Sequence, residues 1–366
     1  MDVGSQTLEK MGISGRQVVS ISVCTFVLLA CAAKILKYDR AEELKENKEF
    51  EQRVQIVEVP PSPEASADLS VTAAPEMVKA SETEKKPAKL VALKENRKNK
   101  KSKKEKEKVP EPPARKQPEI ESDLGFEGRR PIKDPFRVGE KVVHSVNYFK
   151  MQAGTLILET RSFAEVNGRK NYQFRTSIFT SSLFSSFYSV NDYVDVLMDF
   201  AEMIPSVFTL HVKETSQLKE SQMLFDHEKN MATYWEKKVT DKNGEENKKL
   251  QWEINAYSQN VFSAAFYMRT FQWEVGKENA FYVADDEKNL IFRAKAIRRE
   301  HISTEAGEFD AIVIRPEIEL KGKFNPVGDN YIWLSDDDRK FILRIESKIK
   351  IGTMVSEVTE IHPGRP

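Results

Sequence analysis

The stretch FILRIESKIKI, residues 341–351, sets Phe341, Leu343, Ile345, Ile349 and Ile351 on one face of an extended chain. Ile342, Arg344, Glu346, Lys348 and Lys350 fall on the other. Side chains of a strand alternate between faces, so this repeat of two reads as a half-buried strand about 37 Å long. Similar strand-like runs lie at 142–149, 155–166, 172–180, 207–214, 231–239, 281–284, 290–297, 309–315 and 331–334. Turn-forming groups separate them: Asn167-Gly168, Asp226 to Asn230, Asn243-Gly244, Asp285-Asp286-Glu287 and Ala306-Gly307. Connections this short favour antiparallel neighbours, and no strand–helix alternation points to a parallel sheet.

Two segments break the pattern and read as helical, SSLFSSFYSV (181–190) and SQNVFSAAFYMRTF (258–271). The second is apolar nearly all round, and such a helix is buried. The expected fold is therefore mainly β: a curled antiparallel sheet or half-barrel with one or two short helices packed on the concave side. Closure or curling is expected because long open edges invite aggregation.

Upstream the chain changes character. Val18 to Ala33 has no charged residue, and Ile35 and Leu36 extend the run if Lys34 snorkels, close to the length of about 20 residues that spans a bilayer. Lys10 and Arg16 precede it, while Lys34, Lys37 and Arg40 follow, so charge orients it only weakly. An uncleaved membrane anchor is one reading. A second is a lipoprotein signal, in which Leu28-Leu29-Ala30-Cys31 resembles a lipobox and Cys31 would carry the lipid; a third is an ordinary cleaved signal. All three place the C-terminal part outside the cytoplasm.

Residues 37–57 read as a charged, mildly helical stalk, and 58–122 as a disordered linker rich in Pro, Lys and Glu. Lys94 to Lys108 holds nine Lys or Arg and three Glu, a net of +6 in fifteen residues. That run would suit peptidoglycan or other anionic envelope polymers, or serve as a solvated spacer. Because the whole chain has formal charge zero, the folded part must be net acidic, which argues against nucleic-acid binding. The resulting division is a tail at 1–16, a transmembrane or signal helix at 17–36, stalk, linker, and a β domain at 123–366. Both cysteines, Cys24 and Cys31, lie in the apolar run, so disulfides, thiolate zinc sites and thiol nucleophiles are excluded from the β domain.

From about Pro135 to Glu360 the chain resembles the bacterial family catalogued as domain of unknown function 3108. The resemblance rests on FRVGEKVVHSVNYFKMQAGTLILET (136–160), FSAAFYMRTFQWEVGK (262–277), GEFDAIVIRPEIELKGKF (307–324) and IWLSDDDRKFILRIESKIKIG (332–352). It implies an exported, mostly β envelope protein and carries no activity with it.

Motifs for common chemistries are absent: no G-x-S-x-G, no Gly-rich phosphate loop, no H-E-x-x-H. His144, His211, His227, His301 and His362 are scattered, and each reads as an ordinary strand or surface residue. Asp336-Asp337-Asp338 lacks the alternate spacing of a calcium loop and, with Arg339 following, reads as a turn with an internal charge partner. No metal, cofactor or catalytic group is expected. Glu214 and Asp226 are the acids a glycan hydrolase would need to bring together. Arg269 interrupts an apolar helix, so it requires either a carboxylate or an anionic ligand group. With Tyr267, Tyr188 and Trp333 it forms the candidate ligand-binding set. The leading expectation is a periplasm-facing, non-enzymatic module tethered to the inner membrane by its N-terminal helix. It would bind a lipid-like ligand, a cell-wall polymer or a protein through an apolar pocket beside the 258–271 helix. A glycan hydrolase and a TonB-like bridge between membranes are the alternatives.

Overall fold

The computed structural model describes residues 47–59, 118–320, 323–325, 330–348 and 352–365. The apolar N-terminal run, Cys31 and the Lys-rich run fall outside these residues, as does nearly all of the expected linker. No described helix is long and apolar enough to cross a membrane.

Helix α1 (Lys48–Arg53) and strand β1 (Ile56–Glu58) come first, then the small hairpin β2 (Phe126–Glu127) and β3 (Arg130–Pro131). The next strands are β4 (Glu140–Tyr148), β5 (Met151–Thr160), β6 (Ala164–Val166) and β7 (Arg169–Thr180), followed by the one-turn helix α2 (Ser182–Ser185). A meander of β8 (Asn191–Asp199), β9 (Pro205–Glu214), β10 (Gln217–Asp226), β11 (Met231–Thr240) and β12 (Gly244–Glu253) leads to helix α3 (Val261–Tyr267), prolonged by a 3₁₀ turn at Met268–Thr270. The last strands are β13 (Glu278–Asp285), β14 (Lys288–Thr304), β15 (Gly307–Leu320), β16 (Lys323–Asn325), β17 (Asn330–Ser335), β18 (Ile342–Lys348) and β19 (Thr353–Pro363).

All these strands but the small hairpin join one 17-stranded sheet whose strand pairs are antiparallel. Pairing runs from β7 through β8, β9, β10 and β11 to β12 in one arm. It runs from β13 through β14, β15, β17 and β18 to β19 in the other. The pairs β19–β4, β4–β5 and β5–β7 connect the two arms, which among the described residues leaves β12 and β13 as edges.

Helix α3 shows how far this sheet bends. Phe266 of α3 stacks on Phe174 of β7 at 4.2 Å, and Tyr267 meets Phe281 of β13 edge-on at 5.1 Å. On a flat sheet β7 and β13 would lie eight strand spacings apart, about 38 Å. One helix can touch both only if the sheet curls around it. The main core accordingly collects Phe136, Phe174, Met198, Phe266, Phe271 and Phe281 about α3. Asn260 starts the helix, its side-chain oxygen accepting from the Phe262 and Ser263 amides at 2.8 and 2.7 Å, while the Ser263 hydroxyl accepts from the Asn260 amide at 2.9 Å. This reciprocal cap satisfies donors that the buried helix end would otherwise leave orphaned.

Three expectations need correcting. Segment 181–190 is helical only at α2, and Leu183 and Phe187 stand 64% and 71% exposed rather than packed on the concave side. Strand β18 does not keep the strict alternation: Trp333 pairs with Arg344 and Leu334 with Ile342, so Leu343 is bulged out of register. Ile342 and Leu343 are therefore both buried, at 3% and 0% exposure. The stalk is not free-standing where it is described. Phe50 packs edge-on against Trp235 at 5.9 Å, and β1 pairs with β6, Ile56 opposite Val166.

This clasp covers an apolar patch on the sheet's outer face. Val196 and Phe208 belong to an inner cluster, whereas their neighbours Leu197 and Val207 join Phe50, Val54 and Trp235 outside. The end of β8, Val196 to Asp199, is thus buried on both faces.

Candidate functional site

The arginines that enter the interior do so against carboxylates. Glu140, at the start of β4, takes Arg269 on one carboxylate oxygen at 2.7 Å and Arg339 on the other at 2.6 Å. The Arg269 and Glu140 side chains are each 2% exposed. Arg269 also donates to the Arg339 carbonyl at 3.0 Å and lies 5.0 Å from the Phe136 ring centre. The arginine that breaks the apolar helix is thus held by a carboxylate from the opposite wall. Tyr267 faces a second group, its hydroxyl donating to Glu121 at 3.0 Å and accepting from Arg129 at 3.1 Å. Glu121 and Arg129 form an ion pair at 3.2 Å, so the ordered β unit starts before the expected boundary at 123. Asp134 receives both Arg130 and the Tyr172 hydroxyl; burial is the main cause that raises the Tyr172 pKa. Segment 118–139 in effect seals one end of α3 with these pairs.

The other candidate residues are elsewhere. Trp333 lies buried on β17, its ring 5.8 Å from the Arg298 guanidinium. Tyr188 sits in the β7–β8 connection and donates to Glu214 at 2.6 Å. Burial is the largest cause pushing its pKa up, followed by that hydrogen bond. Arg269 and Tyr267 are chain neighbours, but the four side chains do not line one space.

Glu214 and Asp226 do not meet. Glu214 ends β9 beside Gln217, the first residue of β10, and Asp226 ends that strand, about 31 Å further on at 3.4 Å per residue. Glu214 instead acts on Asp192, whose pKa is raised to about 7 by burial first and then by the Glu214 charge.

Asp337 closes its turn, accepting from the Ser335 hydroxyl at 2.7 Å and from the amides of Arg339 and Lys340 at 3.0 and 2.9 Å. Asp336 pairs with Arg299 at 2.6 Å and Asp338 with Lys133 at 2.9 Å, while Arg339 turns to Glu140 instead of serving this loop. These acids border a polar recess of about 320 Å³ with Thr270, Gln272 and Trp273. Among the described residues no group of three His, Cys, Asp or Glu is placed to hold a metal. His144 is buried and His227 half-buried, and burial lowers the pKa of each to about 4.

What reasoning from sequence missed is an apolar rim. The β4–β5 turn puts Phe149 and Met151 at 59% and 48% exposure; beside it stand Phe179, Leu183 and Phe187, at 37%, 64% and 71%. The two segments are tied together: the Ser181 amide donates to the Ala153 carbonyl at 2.9 Å and its hydroxyl to the Gln152 carbonyl at 2.8 Å. One signal was available, since residues 178–190 (IFTSSLFSSFYSV) contain no charge at all.

The molecule is thus a curled antiparallel β domain with a filled interior and an apolar end. The family pattern described as "Protein of unknown function (DUF3108)" matches residues 143–359, and the chain belongs to that family. No curated protein matches it in sequence. Among solved structures it is similar to a β-barrel-like protein of domain of unknown function DUF1849 from Brucella abortus, at 8% identity and TM-score 0.38, covering 62% of this chain and 98% of that one. It is also similar to a protein from Bacteroides fragilis described as exported, with a YmcC-like fold, at 10% identity and TM-score 0.29 over 62% and 97% of the two chains. A protein from Parabacteroides distasonis described as a lipoprotein matches at 10% identity and TM-score 0.28 over 63% and 99%.

Proposed function

We propose that this protein is a membrane-tethered, periplasm-facing module of the bacterial envelope that binds a partner and catalyses nothing. One observation carries the reading: the buried arginines are consumed in ion pairs such as Arg269 with Glu140, while large apolar side chains gather at the rim formed by Phe149, Met151, Phe179, Leu183 and Phe187. Exposed apolar clusters of this kind mark interaction surfaces. Binding therefore takes place on the end of the sheet, not in a pocket beside α3. The charge-free N-terminal run supports the tether, and the Lys-rich run at 94–108 supplies a second, electrostatic contact with anionic envelope polymers.

Site-specific photo-crosslinking in cells tests this. A benzophenone side chain at Phe187 should give discrete adducts, and one at Lys295, exposed on β14, should not. Equal labelling at both positions, or none at Phe187, would remove the rim as the contact surface. Release of sugar fragments from purified cell wall, lost in a Glu214→Gln variant, would replace the proposal with the hydrolase alternative.

A further inference from the structure

The clasp shows where the described N-terminal segment meets the sheet relative to the rim. Asn47, the first described residue, donates to Gln222 of β10 at 2.9 Å. Gln222 is five residues from Gln217, where β10 begins at the rim end, so Asn47 lies about 17 Å below the rim's level along the strands. Helix α1 then runs away from the rim: Arg53 reaches Thr233, which pairs with Leu224, and β1 docks on β6 at the opposite end. The start of α1 is thus nearer the rim than its end.

Ten residues, 37–46, separate Asn47 from the end of the apolar run at Leu36. Fully extended they reach about 36 Å, twice the distance to the rim level. Residues 60–117 lie between two segments that both belong to the domain, so they add nothing to this reach. A bilayer holding the first 36 residues is therefore near enough for the rim to reach it. The result is the same if Cys31 is lipidated.

The rim suits that neighbour. Phe149 and Lys150 occupy a two-residue hairpin turn with φ of 49° and 62°, a left-handed conformation that normally selects Asn and Gly. A bulky ring is thus placed at an exposed tip in spite of its conformational cost. Leu183 and Phe187 extend from the adjoining connection, which carries no charge from Ile178 to Val190. Lys150 at the tip suits anionic headgroups.

We infer that the rim built from Phe149, Met151, Leu183 and Phe187 rests in the interface of the same bilayer that holds the N-terminal segment. This rests on the tethered-module reading above and goes beyond it by naming the lipid surface as the partner. The test uses the full chain with a protease site inserted within residues 37–46, reconstituted in vesicles of phosphatidylethanolamine and phosphatidylglycerol, cut, and floated on a gradient. The cut domain should stay with the vesicles, and a Leu183→Glu, Phe187→Glu variant should lose about tenfold or more of its bound fraction. Both positions are exposed, so the tryptophan-detected unfolding midpoint of the variant should not move. Release of the native domain as complete as that of the variant would overturn the inference, as would adducts of Phe187 with protein alone in the crosslinking experiment. Alkaline carbonate treatment of uncut protein separates the two readings. Extraction there defeats the anchor, whereas retention followed by release on cutting defeats only the rim contact.

Discussion

Replacing Glu140 by Gln should destabilise the domain more than replacing the arginine it holds. Glu140 binds Arg269 at 2.7 Å and Arg339 at 2.6 Å, with side-chain exposures of 2%, 2% and 19% for the acid and the two bases. Glu140→Gln leaves Arg269 charged, unpaired and out of water, which costs about 3–5 kcal/mol for a buried pair broken from one side. Arg269→Met instead leaves the carboxylate with Arg339, so the loss is chiefly of hydrogen bonds, about 1–3 kcal/mol. In urea unfolding followed by tryptophan fluorescence, with a slope of about 3 kcal/mol/M, the first change should lower the midpoint by about 1–1.7 M. The double variant should recover part of the Glu140→Gln loss, because no buried charge is stranded when both are gone. A Glu140→Gln loss no larger than that of Arg269→Met would refute the reasoning. Arg269 would then have to draw its stabilisation from the carbonyls of Arg339 and Pro135 and the Phe136 ring rather than from the ion pair.

Gly154→Ala should destabilise by about 1–3 kcal/mol and loosen the β5–β7 edge of the rim, because the added Cβ would lie 2.4 Å from the Phe179 carbonyl oxygen, a backbone atom that cannot swing aside; amide exchange at Thr155 and Phe179 reads it out. Burial and then Glu214 hold the Asp192 pKa near 7, above the ordinary 3.8, so the folded state keeps a proton that the unfolded chain releases. Stability from this group is complete below about 3.8 and is lost as pH rises through about 7, with Glu214, Lys219, His211 and Tyr188 as the surrounding titratable groups. Asp192→Asn keeps the acceptor for the Lys213 amide, so its thermal midpoint should gain on the native protein as pH rises from about 4 to about 7; a constant difference over that range would remove the burial argument.

The parts of the fold legible in the sequence were those where one face of a strand is buried and the other is wet. Strands 142–149, 172–180, 207–214 and 231–239 show this and correspond to β4, β7, β9 and β11. Strand β12, GEENKKLQWE, could not be read this way because it is an edge strand with most side chains exposed, held by pairing to β11 across the turn before Gly244. The α3 helix was legible because an all-round apolar segment has only one stable place. The fate of SSLFSSFYSV was not, since a short run of Ser and aromatics packs inward or stays out according to what the sheet leaves uncovered.

Local alternation, turn residues and an apolar helix determined by themselves that this chain forms a curled antiparallel sheet around a plug, and that Arg269 needs an anion. These are properties of near neighbours in the chain, and they survive without knowledge of distant contacts. The tertiary structure alone decided that Glu140 is that anion, from 129 residues away. It likewise decided that Phe50 and Val54 clasp the outer face, and that Phe149 and Phe187 share an exposed end. Each depends on how far the sheet bends and which strands it brings opposite one another, and no periodicity along a single segment encodes that.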